Sequence, residues 1–312
     1  FDLTISEVYS ALLISFFSIF VHVGLDYFRV KEKIFTYGKF CCSYALLNFI
    51  LTLLLIANFH TGWYGRIYAL TVSSMIYALF ALFVFIKEHR FSFHSISSSS
   101  LKKIIFWGLP LIPHLASTWI KQGGDRYIIK ANYDISEVGI FSFALNLVNI
   151  LCMLGVAFNS SNSVDIYKLL SNPTDATFAR LHGYTKKMLL LYAVISITLI
   201  IVCMLLIPLL LPRYTESLTF FVLLVPYGYL QCIYFLYCNY LFFYGENKRL
   251  MKITFITSIV HLCLSLTLTS YSLYATAIVY TLTQLLVILF LRLKVIQLLK
   301  SKLSNYRVNW VL

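Results

Sequence analysis

Four ionisable residues crowd one apolar stretch of this chain. Lys121, Asp125, Arg126 and Lys130 stand near the far end of the first of two hydrophobic runs within 104–170. Charges at membrane depth are costly and gather where a water-filled cavity, a transport path or a proton relay needs them. Lys and Arg close to a span end have a second use, lying along an apolar stem with the charge among the headgroups. Lys130 suits that use best. At 100° per residue, Lys121 and Asp125 each fall within about 20° of His114 on a helix, and Lys121 and Asp125 are an i,i+4 pair. Pro110 and Pro113 predict a bend in the earlier half of the span. Gly123 and Gly124 are placed either to break it before Asp125 or to let a neighbour pack closely.

The next run carries Ser142, Asn146, Asn149, Met153 and Ser160 on one face. An Asn in hydrocarbon needs a partner, which is either a neighbouring helix or cavity water. Cations with a single carboxylate suit an anionic group, and phosphate fits because Arg and Lys both bind it well. The candidate substrate-binding set is therefore His114, Lys121, Asp125, Arg126, Asn146 and Asn149. Enzyme patterns are missing: there is no phosphate-binding Walker loop and no metal-ligand spacing. His22 and His261 sit singly in apolar runs, and Asp26 lies one turn beyond His22. A lone intramembrane His is usually a hydrogen-bonded packing residue. The chain reads as a non-enzyme that needs neither metal nor cofactor.

The elements that hold these residues follow from composition. The 312 residues are 60% hydrophobic and 12% charged, against about a quarter charged in a soluble domain, and the mean hydropathy is +0.82. A helix needs about 20 apolar residues to cross hydrocarbon, and such runs recur from end to end. The fold class is all-α, a polytopic membrane protein of about nine spans. They lie near 5–26, 40–59, 64–86, 104–129, 137–160, 187–211, 217–244, 253–270 and 273–291, each bound good to about 2–4 residues. Twenty of the 25 Lys and Arg residues fall after alternate spans or in the tail. Positive-inside bias then puts those loops and the C-terminus in the cytoplasm, with the net charge of +13 serving orientation and anionic lipid rather than nucleic acid. The seven cysteines all lie in apolar runs and read as small buried hydrophobes.

The segment 27–87 and the segment 244–294 share a plan of basic loop, span, short turn and span. If they are equivalent parts of two related halves, a half has six helices and this chain is 3 + 6. Its divisions are then 1–88, the last three helices of a first lobe; 89–103, a Ser-rich cytoplasmic connector; 104–293, a six-helix second lobe; and 294–312, a cytoplasmic tail.

The stretch 104–170 carries an ordered set of short motifs: Leu109-Pro110 with Pro113-His114, then Asp125-Arg126, Val138-Gly139 with Phe141-Ser142, and Phe158-Asn159 leading to Ile166-Tyr167-Lys168. In that order they resemble the polysaccharide flippases of the multidrug/oligosaccharidyl-lipid/polysaccharide exporter superfamily. Ser160-Ser161-Asn162 and Val164-Asp165 depart from the family's usual Gln-Ala-Trp and Pro. The resemblance implies a two-lobed 6+6 bundle, here without its first three helices. It implies an inner-membrane flippase that moves an undecaprenyl-pyrophosphate-linked oligosaccharide, the O-antigen repeat unit, to the periplasmic leaflet by alternating access. Implied partners are that lipid-linked oligosaccharide, membrane lipids, and an O-antigen polymerase with its chain-length regulator. Lys121 and Arg126 would engage pyrophosphate, Asp125 would set their geometry or couple an ion, and Asn146 and Asn149 would touch sugar. Rival readings are a cation or drug exporter of the same fold, a membrane acyltransferase and an O-antigen polymerase.

Overall fold

The computed structural model describes residues 5–88, 97–109 and 111–302. Within them all regular structure is helical. The chain forms two compact units that divide between residues 98 and 99.

The first unit holds α1 (Ile5–Val30), α2 (Ile34–Leu53) and α3 (Trp63–Lys87). A single wide π turn, Leu54–Asn58, extends α2. Val21, Phe28, Phe40, Ala78 and Ala81 form its core. Gly24 lets α1 approach α3, because a Cβ there would stand 3.0 Å from that of Ala81. Polar clamps close both ends of the bundle. At one end the Tyr27 hydroxyl and the Lys33 ammonium both donate to the Glu88 carboxylate, the latter at 2.9 Å. At the other, Arg66 donates to Asn48 and Thr52, and Asn48 donates to Ser73 at 2.9 Å.

The second unit opens with three short helices in place of one span: α4 (Ser98–Gly108), α5 (Leu111–Gln122) and α6 (Gly124–Asn132). The last residues of the expected connector, from Ser98 on, are thus helical. Pro110 lies outside the described residues, as do 89–96 of the connector and 303–312 of the tail. Pro113 sits in the first turn of α5, where the missing N–H costs little because first-turn donors have no intrahelical partner. Gly123 separates α5 from α6 while keeping a helical backbone (φ −85°, ψ −46°). Its lack of a side chain matters: a Cβ there would meet the Trp119 carbonyl at 2.9 Å and the indole at 3.1 Å.

Long helices follow: α7 (Ile135–Ser171), α8 (Asp175–Leu210), α9 (Ser217–Phe243), α10 (Asn247–Leu268) and α11 (Leu273–Lys302). Among the described residues eight helices are long and apolar enough to cross a membrane, and the segmented α4–α6 run stands where the remaining expected span was placed. At 37 residues, α7 is about 55 Å long, so it outruns an apolar core of about 30 Å and ends beyond the expected residue 160. α9 is the buried axis of the unit and packs along α7. Gly155 admits Cys232, and Gly228 admits Val148 and Leu151, the small-residue device that holds helices together where lipid removes the hydrophobic drive. An Asn239 to Asn159 hydrogen bond of 2.7 Å adds polar glue between the same two helices.

Candidate functional site

A cavity of about 290 Å³ opens in the second unit among α5, α7, α9, α10 and α11. α5 supplies His114, Ser117, Lys121 and Gln122; α9 supplies Tyr227, Gln231 and Tyr234; Thr254 and Gln284 come from α10 and α11. Lys121 is 8% exposed, and no hydrogen bond or ion pair to its ammonium occurs among the described residues. A buried cation without a paired acid is expensive. The surrounding amides, phenols and hydroxyls soften that cost and supply hydrogen-bonding groups for a polar ligand.

His114 is fixed on both ring nitrogens. Nδ1 lies 2.9 Å from Thr254 Oγ1, and Nε2 lies 3.1 Å from the Tyr234 hydroxyl. Thr254 donates its own proton to the Leu250 carbonyl at 3.1 Å, so its oxygen accepts from Nδ1–H. Tyr234 then donates to Nε2, and a neutral imidazole satisfies every contact. Gln122 reaches the Tyr227 hydroxyl at 3.4 Å.

One turn past Lys121, Asp125 is fully buried and turns to α10. Its Oδ2 meets His261 Nε2 at 2.9 Å, while Oδ1 has no partner. His261 Nδ1 meets Thr283 Oγ1 at 2.9 Å. Tyr280 ties the two places together. Its hydroxyl donates to the Lys121 carbonyl at 2.8 Å, and its ring stands edge-on to His261 with centroids 4.9 Å apart.

The structure therefore brings His114 and Lys121 to one cavity and Asp125 to its neighbour. It does not bring Arg126, Asn146 or Asn149 to the cavity wall. Arg126 and Asn146 are exposed, and Asn149 is half-buried. The Asp125–Arg126 grouping expected from sequence is replaced by Asp125–His261, since adjacent residues on a helix point about 100° apart. Sequence reading missed His261, Tyr280, Thr283, Gln231 and Gln284. Part of this was visible as spacing: Thr254, Thr257, Ser258, His261 and Ser265 recur at three- and four-residue steps and are all buried on one face of α10.

Comparison with known proteins adds what the chain is similar to. A family model for polysaccharide biosynthesis proteins matches residues 11–164. A protein of the Lsg locus of Haemophilus influenzae is 24% identical over 272 residues, covering 85% of this chain and 67% of that protein. An uncharacterized membrane protein of the same organism is 22% identical over 263 residues, covering 82% and 64%. Among solved structures, MATE in the straight conformation superposes with a TM-score of 0.71 at 17% identity, covering 94% of this chain and 69% of that one. An outward-facing multidrug resistance MATE transporter of the MOP superfamily gives 0.71 at 16%, covering 94% and 70%. At such identities the solved structures share the fold alone. The chain spans about two thirds of the length of these proteins.

Proposed function

We propose that this chain, a polysaccharide-type member of the multidrug/oligosaccharidyl-lipid/polysaccharide exporter superfamily, flips an undecaprenyl-pyrophosphate-linked oligosaccharide, the O-antigen repeat unit, from the cytoplasmic to the periplasmic leaflet of the inner membrane by alternating access. The observation that carries the reading is Lys121, a buried ammonium with no paired acid, facing a cavity rich in amides and phenols. Phosphate is the anion that a lysine point charge takes readily. A cavity of about 290 Å³ is at the lower end of ligand-pocket sizes, so it takes the phosphate end of such a lipid and one adjoining sugar, not a whole oligosaccharide. Arg126, Asn146 and Asn149 serve the remainder of the cargo from outside this cavity.

The MATE-like fold favours a second reading, export of drugs or organic cations. A buried lysine in the pocket opposes a cationic cargo. The discriminating experiment is complementation of cells that lack their own O-unit flippase, using the full-length gene and probing surface O-antigen. Wild type restores surface polymer, and Lys121→Ala at matched protein level does not. Rescue by both moves the site elsewhere. No rescue with any repeat unit tested, together with resistance to cationic drugs, sustains the exporter reading instead.

A further inference from the structure

Thr283 fixes the proton count of the pair beside the cavity. Its hydroxyl donates to the Val279 carbonyl at 2.8 Å, so its oxygen accepts the 2.9 Å bond from His261 Nδ1–H. His261 Nε2 then faces Asp125 Oδ2 at 2.9 Å. Two lone pairs do not meet at that separation, and one proton lies between them, giving either imidazolium with carboxylate or imidazole with carboxylic acid. Both side chains are almost wholly shielded, 0% and 1% exposed. Removing the proton leaves a buried carboxylate against an imidazole lone pair, with Asp125 Oδ1 already unpartnered.

The elements around this pair adjoin the cavity, which α5, α10 and α11 help to line. α5 and α6 carry Lys121 and Asp125 one turn apart, α10 carries Thr254 and His261, and α11 carries Gln284 beside Thr283. The titratable and charged groups facing the pair are Lys121 from α5, Tyr280 from α11 and Tyr227 from α9, with Cys152 of α7 beyond Tyr227 and the exposed Arg126 of α6 acting on Tyr280. Proton loss changes the pair from net zero to −1 next to the place where an anion meets Lys121. A hard divalent cation takes six or more oxygen ligands, and Asp125 Oδ1 is a single free one.

We propose that Asp125 and His261 form a one-proton site that sets the anion affinity of the Lys121 cavity, the bound proton tightening the grip and its loss loosening it. This rests on the phosphate reading of the cavity, and the test separates the two. Full-length protein in lipid nanodiscs is titrated with undecaprenyl pyrophosphate between about pH 5 and pH 8, by calorimetry in two buffers of different ionisation heat. Wild type takes up as much as one proton per lipid bound, and affinity falls by up to about tenfold per pH unit as pH rises, in sodium and choline salts alike. Asp125→Asn and His261→Gln abolish the proton uptake and the slope. His22→Gln, in the first unit, keeps both.

Proton uptake that persists in His261→Gln overturns the proposal, as does affinity that follows sodium at constant pH. A second readout needs no ligand: infrared difference spectra of the empty protein between the two pH limits carry a carboxyl and imidazole signal that Asp125→Asn removes. If the lipid fails to bind wild type at any pH while that signal is present, the substrate reading falls. Inorganic pyrophosphate then takes the lipid's place, and binding of it without a pH slope overturns the proton linkage. Absence of the infrared signal overturns the site.

Discussion

Replacing Lys121 by Met should move stability and binding in opposite directions. Lys121 is 8% exposed, and the carboxylate one turn on, Asp125 of α6, is engaged with His261. The empty cavity therefore carries the cost of an unpaired buried charge. Met has nearly the same length and fills the same space without it. Single stabilising substitutions are commonly worth about 0.5–2 kcal/mol, and the variant should melt higher than wild type. The phosphate partner is lost at the same time. A hydrogen bond to a charged group is worth about 1.5–3 kcal/mol, or about 10- to 150-fold in affinity. The assay is thermal unfolding in nanodiscs beside titration with undecaprenyl pyrophosphate. A Met variant that melts lower and binds like wild type would show that Lys121 is a structural residue and refute the reasoning.

Three further outcomes follow from the packing. Gly155→Ala places a methyl 2.7 Å from Cys232 Sγ and should cost about 1–3 kcal/mol of stability, while Cys232→Ala in the same chain returns most of it in a double-mutant cycle. Asn239→Ala removes the 2.7 Å bond to Asn159 and should lower stability by about 0.6–1.7 kcal/mol, from the average to the maximum for interhelical bonds in membranes. The Lys33–Glu88 hydrogen bond raises the Lys33 ammonium above its ordinary 10.5. A raised folded value means the contribution is whole below 10.5 and is lost as pH climbs through the higher folded value. Unfolding curves of wild type and Lys33→Met should therefore differ at neutral pH and merge in strong alkali.

The spans were legible because each needs a run of about 20 apolar residues, and the alternation of basic loops checks their number independently. One of the two breaks in the segmented span was offered by the sequence, as one of two uses of Gly123-Gly124; the separation of α4 from α5 was not. Gly123 is the one position before Asp125 where α5 gives way to α6, and the close Trp119 carbonyl explains why a Cβ is unwelcome there. His114 and Lys121 reach one cavity because 700° of helical turn nearly superposes them, and Gly123, lying beyond both, does not disturb that register. Asn146 and Asn149 were harder. A membrane helix is apolar almost all round, so its own pattern says little about which side meets protein, and neighbours decide the facing.

His261 shows where sequence reading stops. Its partner Asp125 is 136 residues away, and a single His in an apolar run has no local signature that separates packing from proton exchange. What distinguishes it from His114 is the donor count of the groups around it. Around His114, Tyr234 brings a proton and Thr254 brings an acceptor, so the ring stays neutral with both nitrogens satisfied. Around His261, Thr283 and Asp125 both accept at 2.9 Å, and the Ser265 hydroxyl stands farther from Nε2 at 3.5 Å, so the ring must donate twice or share a proton with the carboxyl group. Two histidines in the same lobe thus have different chemistry because of one phenol, and that phenol comes from α9, a helix that no spacing along α5 or α10 could have identified.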